Sequence, residues 1–231
     1  MDPRLQPVYP AYAGTVLTAE QRDRVLRNTY WLLALSMVPT VLGAWIGVST
    51  GIMTAMGPGM SLLVFFVGAF GLMFAVEKYK NQAAGVPLLL AFTFFMGLML
   101  SRLLGIVLSL KDGANLVMMA FAGTGLIFLG MASLSSIIKR DLSSMGKFLF
   151  VGMILLILAS IANMFLLSSA LMITLSVIAI GIFSAFILHD LKRVKDGEET
   201  NYISATMGVY ISLYNVFSAL LSLFGIAGSR D

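Results

Sequence analysis

From Lys147 to His189 the sequence reads KFLFVGMILLILASIANMFLLSSALMITLSVIAIGIFSAFILH, and no charged residue lies between these two ends. The stretch divides into two apolar runs, Lys147–Leu167 and Ser169–His189, which meet at Ser168 and Ser169 with almost no loop. A helix needs about 20 mostly apolar residues to cross a bilayer. The stretch therefore predicts two transmembrane helices joined as a tight hairpin.

Working outward from this hairpin, five more runs of similar length and character are found. They are Thr29–Gly51, Met60–Val76, Val86–Leu108, Ala114–Ile138 and Tyr202–Ile226. Glycine, proline or charged residues separate neighbouring runs, as in Gly57-Pro58-Gly59 and Lys111-Asp112-Gly113. The sequence thus predicts an all-α membrane protein with seven transmembrane helices.

The composition agrees with a membrane protein and excludes several other classes. Hydrophobic residues make up 59% of the 231 residues and charged residues 11%, whereas soluble domains carry about 25% charged residues. The chain has no cysteine and one histidine, which excludes disulfides, thiolate metal sites and multi-histidine sites. The net charge of +4 does not predict a nucleic-acid partner, because the basic residues lie in short loops between apolar runs.

The basic residues predict the orientation of the helices. Twelve of the 15 fall in the N-terminal tail and in alternate loops, and such loops face the cytoplasm. Seven helices that start inside end outside, so we expect a cytoplasmic N-terminus and a periplasmic C-terminus. This arrangement gives a cytoplasmic tail, residues 1–28, followed by a single seven-helix domain, residues 29–231.

The last run carries a stripe of small and polar residues on an otherwise apolar helix. At spacings of three and four residues it contains Ser204, Gly208, Ser212, Asn215, Ser218 and Ser222. Small residues allow close helix packing in membranes, and serine or asparagine can bond across the interface. The stripe fits either a tightly packed central helix or a helix that lines a narrow polar pathway, and the two are compatible.

Asp190, near the end of the sixth run, is the acidic residue placed nearest the core. Ionisable groups at membrane depth are rare and mark candidate sites. Three and four residues before it the helix is apolar, so the carboxylate is expected either half-buried against the bundle or paired with Arg193. It can also be a simple interfacial residue that orients the helix end.

No enzyme motif is present. Gly123-Thr124-Gly125 lies inside an apolar run rather than after a strand, so it does not predict a nucleotide-binding loop. His189 is adjacent to Asp190, and neighbouring side chains on a helix point about 100° apart, which argues against a protease dyad. We expect a protein without enzymatic activity and without a cofactor.

Several segments together resemble a known family. The most specific are GEETNYI at 197–203, SLYNVF at 212–217 and LLSLFG at 220–225; VLRNTY at 25–30, KRDLS at 139–143 and ILHDL at 187–191 add to them. With these segments the chain resembles the Bax inhibitor family, in its bacterial YccA-like branch. The similarity spans essentially the whole chain.

The resemblance implies an inner-membrane bundle of seven helices with the last helix at its centre. It also implies two functions: modulation of the membrane-anchored protease FtsH, with its associated HflK/HflC complex, or a pH-sensitive leak of Ca²⁺ or H⁺. A structural scaffold in a protease–HflK/HflC assembly is a third reading. The cytoplasmic loop with Lys139, Arg140 and Asp141 is a candidate motif under this resemblance.

The family's ion-leak site is matched only in part. Asp190 corresponds to the first of two aspartates that share a proton in leak-forming members, whereas Ser212 stands where the second would be. Glu77, Lys78 and Tyr79 occupy the region of the arginine that latches the pair. The candidate gating residues are accordingly Asp190, Ser212 and Asn215, without a paired carboxylate.

Overall fold

A computed structural model describes residues 18–142 and 144–229. All secondary structure in this part of the chain is helical. The helices in chain order are α1 (Ala19–Thr50), α2 (Ile52–Ala55), α3 (Pro58–Tyr79), α4 (Gly85–Leu108), α5 (Gly113–Ile137), α6 (Met145–Leu166), α7 (Ser169–Asp196) and α8 (Tyr202–Gly228). Seven of them, all but the single turn α2, are long and apolar enough to span a membrane, which confirms the predicted helix number.

The first helix begins at Ala19, well before the predicted start at Thr29. A capping box explains the early start: the Thr18 hydroxyl accepts from the Gln21 N–H at 3.3 Å, and the Gln21 side chain accepts from the Thr18 N–H at 2.9 Å. The boundary of the predicted tail at residue 28 therefore lies inside α1. Residues 1–17 of that tail are outside the described residues.

The sixth spanning helix, α7, is also longer than its apolar run. It continues past His189 to Asp196 and ends where Gly197 adopts a left-handed conformation with φ 83°. Lys192 and Asp196 form an i,i+4 ion pair along this extension, at 2.6 Å from Lys192 Nζ to Asp196 Oδ2. The charged end of α7 thus projects beyond the apolar span as helix rather than as loop.

Side-chain caps define two connections, of which the first confirms the predicted hairpin. At the hairpin between α6 and α7, Leu167 takes a left-handed conformation with φ 50° and the Ser168 hydroxyl caps α7 by accepting from the Leu171 N–H. At the start of α8, the Asn201 side chain accepts from the N–H groups of Ile203 and Ser204 at 2.8 and 3.2 Å. Both turns are held by caps rather than by long loops.

The last helix, α8, lies at the centre of the bundle, as predicted. It packs against α1, α3, α4, α5 and α7. Tyr210 is its largest fully buried side chain, and its ring packs edge-on against Phe92 of α4. By contrast α6 packs mainly against α7, and none of its residues is buried.

The tightest contact in the bundle is the crossing of α1 and α4. Gly97 of α4 lies against the Thr40 carbonyl group of α1, and Gly43 of α1 lies against the Phe94 carbonyl group of α4. A side chain at either glycine would overlap with backbone atoms of the other helix. This is the close approach that small residues permit between membrane helices.

Candidate functional site

The candidate site is centred on Asp190, which faces α8 from the C-terminal part of α7. Its carboxylate occupies the space left by Gly208, because a methyl group on Gly208 would lie 2.9 Å from Asp190 Oδ2. The Asp190 side chain is 18% exposed. The half-buried placement is therefore the one that the structure adopts, and the predicted stripe residue Gly208 provides the room for it.

The His189 side chain contacts the Asp190 carboxylate. Its Nδ1 is 3.2 Å from Asp190 Oδ1, so the two adjacent side chains meet despite their different directions on the helix. The imidazole can lean toward Asp190 because Gly146, at the start of α6, leaves space beside its Nε2 atom. The sequence argument that His189 points away from Asp190 was wrong in this respect.

The alternative partner of Asp190, Arg193, is directed elsewhere. Its Nε lies 3.6 Å from Glu198 Oε2, and its Nη2 lies 4.0 Å from Glu199 Oε2. The turn at Gly197 brings these two acidic residues back over the last turns of α7. The expectation of an Asp190–Arg193 pair is therefore wrong, and the exposed ion pairs that replace it contribute little stability.

The predicted polar stripe of α8 divides into two parts with different surroundings. At the N-terminal end, the Ser204 hydroxyl donates to Glu77 Oε2 of α3 at 3.0 Å, Gly208 packs against Asp190, and Ser212 is buried. Further along, Asn215, Ser218 and Ser222 line a cavity. The stripe is thus a packing surface in its first half and a cavity wall in its second half.

That cavity has a volume of about 580 Å³ and lies between α6, α7 and α8. Polar side chains of the α6–α7 hairpin, among them Asn163 and Ser169, line it together with the α8 stripe. The Ser222 hydroxyl is buried there and has no hydrogen-bond partner among the described residues. The serine and asparagine side chains of this polar cavity, whose remaining wall is apolar, could hold a small polar species beside α8.

The cavity does not extend to Asp190 in this conformation. Its lining along α7 ends at Phe183, which is 4% exposed. One turn further toward Asp190, Ile187 is fully buried, as is Val216 on α8. The described residues thus form a closed bundle, in which apolar side chains separate the polar cavity from the carboxylate.

The loop motif Lys139, Arg140 and Asp141 lies between α5 and α6, and all three residues are exposed. The end of α5 beside this loop is held by Lys195 of α7, a residue that sequence analysis did not single out. Lys195 Nζ donates to Ser135 Oγ at 2.8 Å and to the Ala132 carbonyl at 3.3 Å, and it also contacts Ser136 Oγ. Such a cation at a helix C-terminus stabilises the last carbonyl groups.

A second polar cluster missed at the sequence level joins the α3–α4 loop to the cap of α8. Asn201 Nδ2 donates to Asn81 Oδ1 at 2.8 Å and to the Lys80 carbonyl at 3.3 Å. Glu77 pairs with Lys80 and accepts from Ser204. Asn201, directly before the last apolar run, was the one available signal, but its long-range partners could not be inferred from local sequence.

Seven membrane-length helices, with α8 at their centre, define a multi-pass membrane protein. Comparison with known families narrows this class: the family model described as "Inhibitor of apoptosis-promoting Bax1" matches residues 22–229. The chain belongs to the Bax inhibitor family. The predicted family is thereby confirmed, and the chain is a multi-pass inner-membrane protein.

Individual relatives place the chain near one bacterial group. It is 38% identical over 208 residues to the "Modulator of FtsH protease YccA" of Escherichia coli K12, covering 90% of this chain and 92% of that protein. A membrane protein of Vibrio cholerae is 35% identical over 212 residues, covering 91% and 93% of the two chains. A protein of Pseudomonas aeruginosa is 36% identical over 215 residues, covering 92% and 95%.

Proposed function

We propose that the protein binds and modulates the FtsH protease in the inner membrane. The observation that carries the proposal is the similarity, over nine-tenths of both chains, to a protein named as a modulator of that protease. The family match over residues 22–229 supports a shared bundle. HflK/HflC would be a further partner in this assembly. It would either bind through FtsH, or the protein would serve as a structural scaffold for both.

The packing of α1 supports a role as a poorly extractable ligand of the protease. A protease that pulled on the N-terminal tail would load α1 first. That helix is locked to α4 through Gly43 and Gly97 and to α8 through Tyr210, whose hydroxyl lies 2.9 Å from Thr40 Oγ1. Extraction would have to break these contacts before any later helix could move, so a bound tail would occupy the protease without rapid degradation.

The test combines affinity purification from native membranes with a degradation assay. We expect FtsH to co-purify with the full chain and to lose this association when residues 2–17 are deleted. The deletion keeps Thr18, because removing it, as a deletion of Met1–Ala19 would, also destroys the α1 capping box. A matched control replaces residues 2–17 with a glycine–serine segment of equal length.

Each result of this experiment has a distinct meaning. Loss of binding in the deletion variant supports the tail as the contact with FtsH. Retention of binding in the glycine–serine control shows that FtsH requires the length of the tail and not its sequence. Failure of FtsH to co-purify with the full chain contradicts the proposal. Recovery of HflK/HflC without FtsH would contradict the modulator role and favour the scaffold.

A second candidate function is a pH-sensitive leak of Ca²⁺ or H⁺. The observation that favours it is that the half-buried Asp190 carboxylate lies between α7 and α8, the two helices that also line the polar cavity with Asn215 and Ser222. Conduction would require Phe183 and Ile187 of α7 to move away from α8, because these side chains separate Asp190 from the cavity. Ser212 is another candidate gating residue. It is buried, and it lies on α8 about one turn before Val216, which belongs to the same apolar barrier.

Liposome flux measurements test the leak directly. We expect Ca²⁺ or H⁺ flux through the wild type to change between about pH 5 and 8, and Asp190→Asn to remove that change. The matched control is Glu198→Gln, an acidic residue of the exposed α7–α8 loop. Flux that is identical in the wild type and Asp190→Asn at every pH would contradict the leak.

A further inference from the structure

Arg102 is the single charged residue within α4, and it stands six positions before the helix ends at Leu108. This places it about 9 Å from the helix end, given a rise of 1.5 Å per residue. The guanidinium is exposed and makes no hydrogen bond or ion pair within the described residues. Arginine stays protonated in proteins, and a charge at membrane depth is costly without a partner.

The surroundings of Arg102 form a cavity of about 380 Å³ between α3 and α6. Ser61 from the first turns of α3 and Tyr214 of α8 are its other polar residues, and the remaining wall is apolar, including Phe65 and Met164. No acidic residue contributes to the lining. The cavity therefore combines one fixed positive charge with an apolar surface, and nothing in its lining neutralises that charge.

The cavity is open to the outside of the bundle between two membrane-length helices, α3 and α6. Helix α3 packs on α4 and α8, whereas α6 packs mainly on α7, and the cavity lies between these two groups. Ser61 near the start of α3 and Met164 near the end of α6 place it close to the end of the bundle that holds the α6–α7 hairpin. A long arginine side chain at this depth can extend toward the membrane surface, where lipid phosphates lie.

We propose that Arg102 binds the phosphate of a phospholipid from the adjacent leaflet, with an acyl chain lying along Phe65 and Met164. Charge complementarity selects this occupant: the planar guanidinium forms two parallel hydrogen bonds with phosphate oxygens. The first turn of α3 adds a favourable potential for an anion. The apolar wall next to the charge matches a lipid better than a free anion, because a lipid supplies both chemistries.

The test is lipid binding to the purified full chain in detergent, counted by native mass spectrometry. Delipidated wild type, Arg102→Gln and Arg102→Lys are titrated with phosphatidylglycerol. We expect Arg102→Gln to lower the apparent affinity of the first bound lipid about tenfold, as expected for a lost charge-assisted contact. Arg102→Lys should fall between the two, because it keeps the charge but loses the planar fork.

Lys111→Gln is the matched control variant, since Lys111 is an exposed cation at the same end of the bundle that does not line the cavity. It should bind phosphatidylglycerol like the wild type. Diacylglycerol with the same acyl chains is the matched lipid, and it should not distinguish the wild type from Arg102→Gln. Thermal unfolding without lipid should be the same for all variants, because Arg102 contacts no described residue through a polar bond.

Three results would overturn the proposal. The first is equal phosphatidylglycerol binding by the wild type and Arg102→Gln. The second is an effect of Lys111→Gln as large as that of Arg102→Gln, which would indicate nonspecific surface charge. The third is stabilisation of the wild type by inorganic phosphate to the same extent as by the lipid, which would identify the ligand as a free anion.

Discussion

The Tyr210 hydroxyl of α8 lies 2.9 Å from the Thr40 hydroxyl of α1, where the buried Tyr210 side chain meets the half-buried Thr40. Thr40 Oγ1 also lies 2.8 Å from the Ser36 carbonyl oxygen, and either hydroxyl can be the donor between Thr40 and Tyr210. The Tyr210 hydroxyl can also donate to the Thr93 carbonyl of α4, at 3.3 Å. One phenol thereby ties the central helix to both members of the tightest helix pair.

Replacing Tyr210 with phenylalanine should weaken the bundle without removing its packing. Hydrogen bonds between membrane helices contribute about 1 kcal/mol, so Tyr210→Phe should lower the free energy of unfolding by about that amount. Unfolding in mixed detergent micelles measures it. Tyr30→Phe is the control, because the Tyr30 hydroxyl makes no hydrogen bond within the described residues; an equal effect of the two substitutions would contradict the role of Tyr210.

The crossing of α1 and α4 predicts a strong effect at Gly97. Gly97→Ala places a methyl group against the Thr40 backbone, and overpacking of this kind costs about 1–3 kcal/mol. Under the proposed function it should also speed degradation by FtsH. Gly71→Ala in α3 is the control, since a methyl group there meets open space; a loss of stability as large as that of Gly97→Ala would argue against the crossing.

The seven spans could be predicted because long apolar runs are visible in the sequence. The apolar runs do not give the two helix ends that extend beyond them. The polar start of α1 and the charged end of α7 lie outside the apolar runs, so hydropathy does not predict them. Thr18 and Gln21 were a readable capping signal. The contact of Lys195 with Ser135, 60 residues earlier in the chain, depends on helix packing and has no local signature.

The same limit applies to the candidate site. The stripe of α8 and the importance of Asp190 were visible in the sequence, because polar residues stand out in an apolar helix. The sequence did not show that Gly208 would make room for the Asp190 carboxylate or that Phe183 would separate it from the cavity. Both facts depend on the register between α7 and α8, which periodicity alone leaves open.

The contact between Asp190 and Gly208 predicts energetic coupling between the two positions. Gly208→Ala should destabilise the protein by pushing the carboxylate away, and it should cost less when Asp190 is already alanine. A double-mutant cycle should give a coupling energy of about 1 kcal/mol, within the range for residues in contact. A coupling energy near zero would show that the carboxylate does not rest on Gly208 in the membrane.

The orientation of the bundle remains a prediction from the distribution of basic residues, and the absence of cysteine makes it simple to test. Single-cysteine variants of the full chain have no labelling background. In intact cells a membrane-impermeant maleimide should label Ser169→Cys, at the exposed α6–α7 turn, but not Lys139→Cys, in the exposed α5–α6 loop. Lys139→Cys should become reactive once the membrane is opened, and the reverse pattern would invert the topology.

Two serine hydroxyls in the polar cavity differ in their hydrogen bonding. Ser222 and Ser176 both line it and are 8% and 9% exposed. The Ser176 hydroxyl donates to the Met172 carbonyl at 2.8 Å, whereas the Ser222 hydroxyl is buried without a partner among the described residues. An unpaired buried hydroxyl costs about 1–3 kcal/mol, and alanine removes that cost.

Ser222→Ala should therefore leave the protein more stable than Ser176→Ala, by about 1 kcal/mol, in the same unfolding assay. The comparison is well matched because the two substitutions remove the same atom from the same cavity. If Ser222→Ala is instead the more damaging change, the Ser222 hydroxyl is bonded in the membrane by something other than this chain. That result would favour a hydrated pathway along α8, and with it the leak over the modulator.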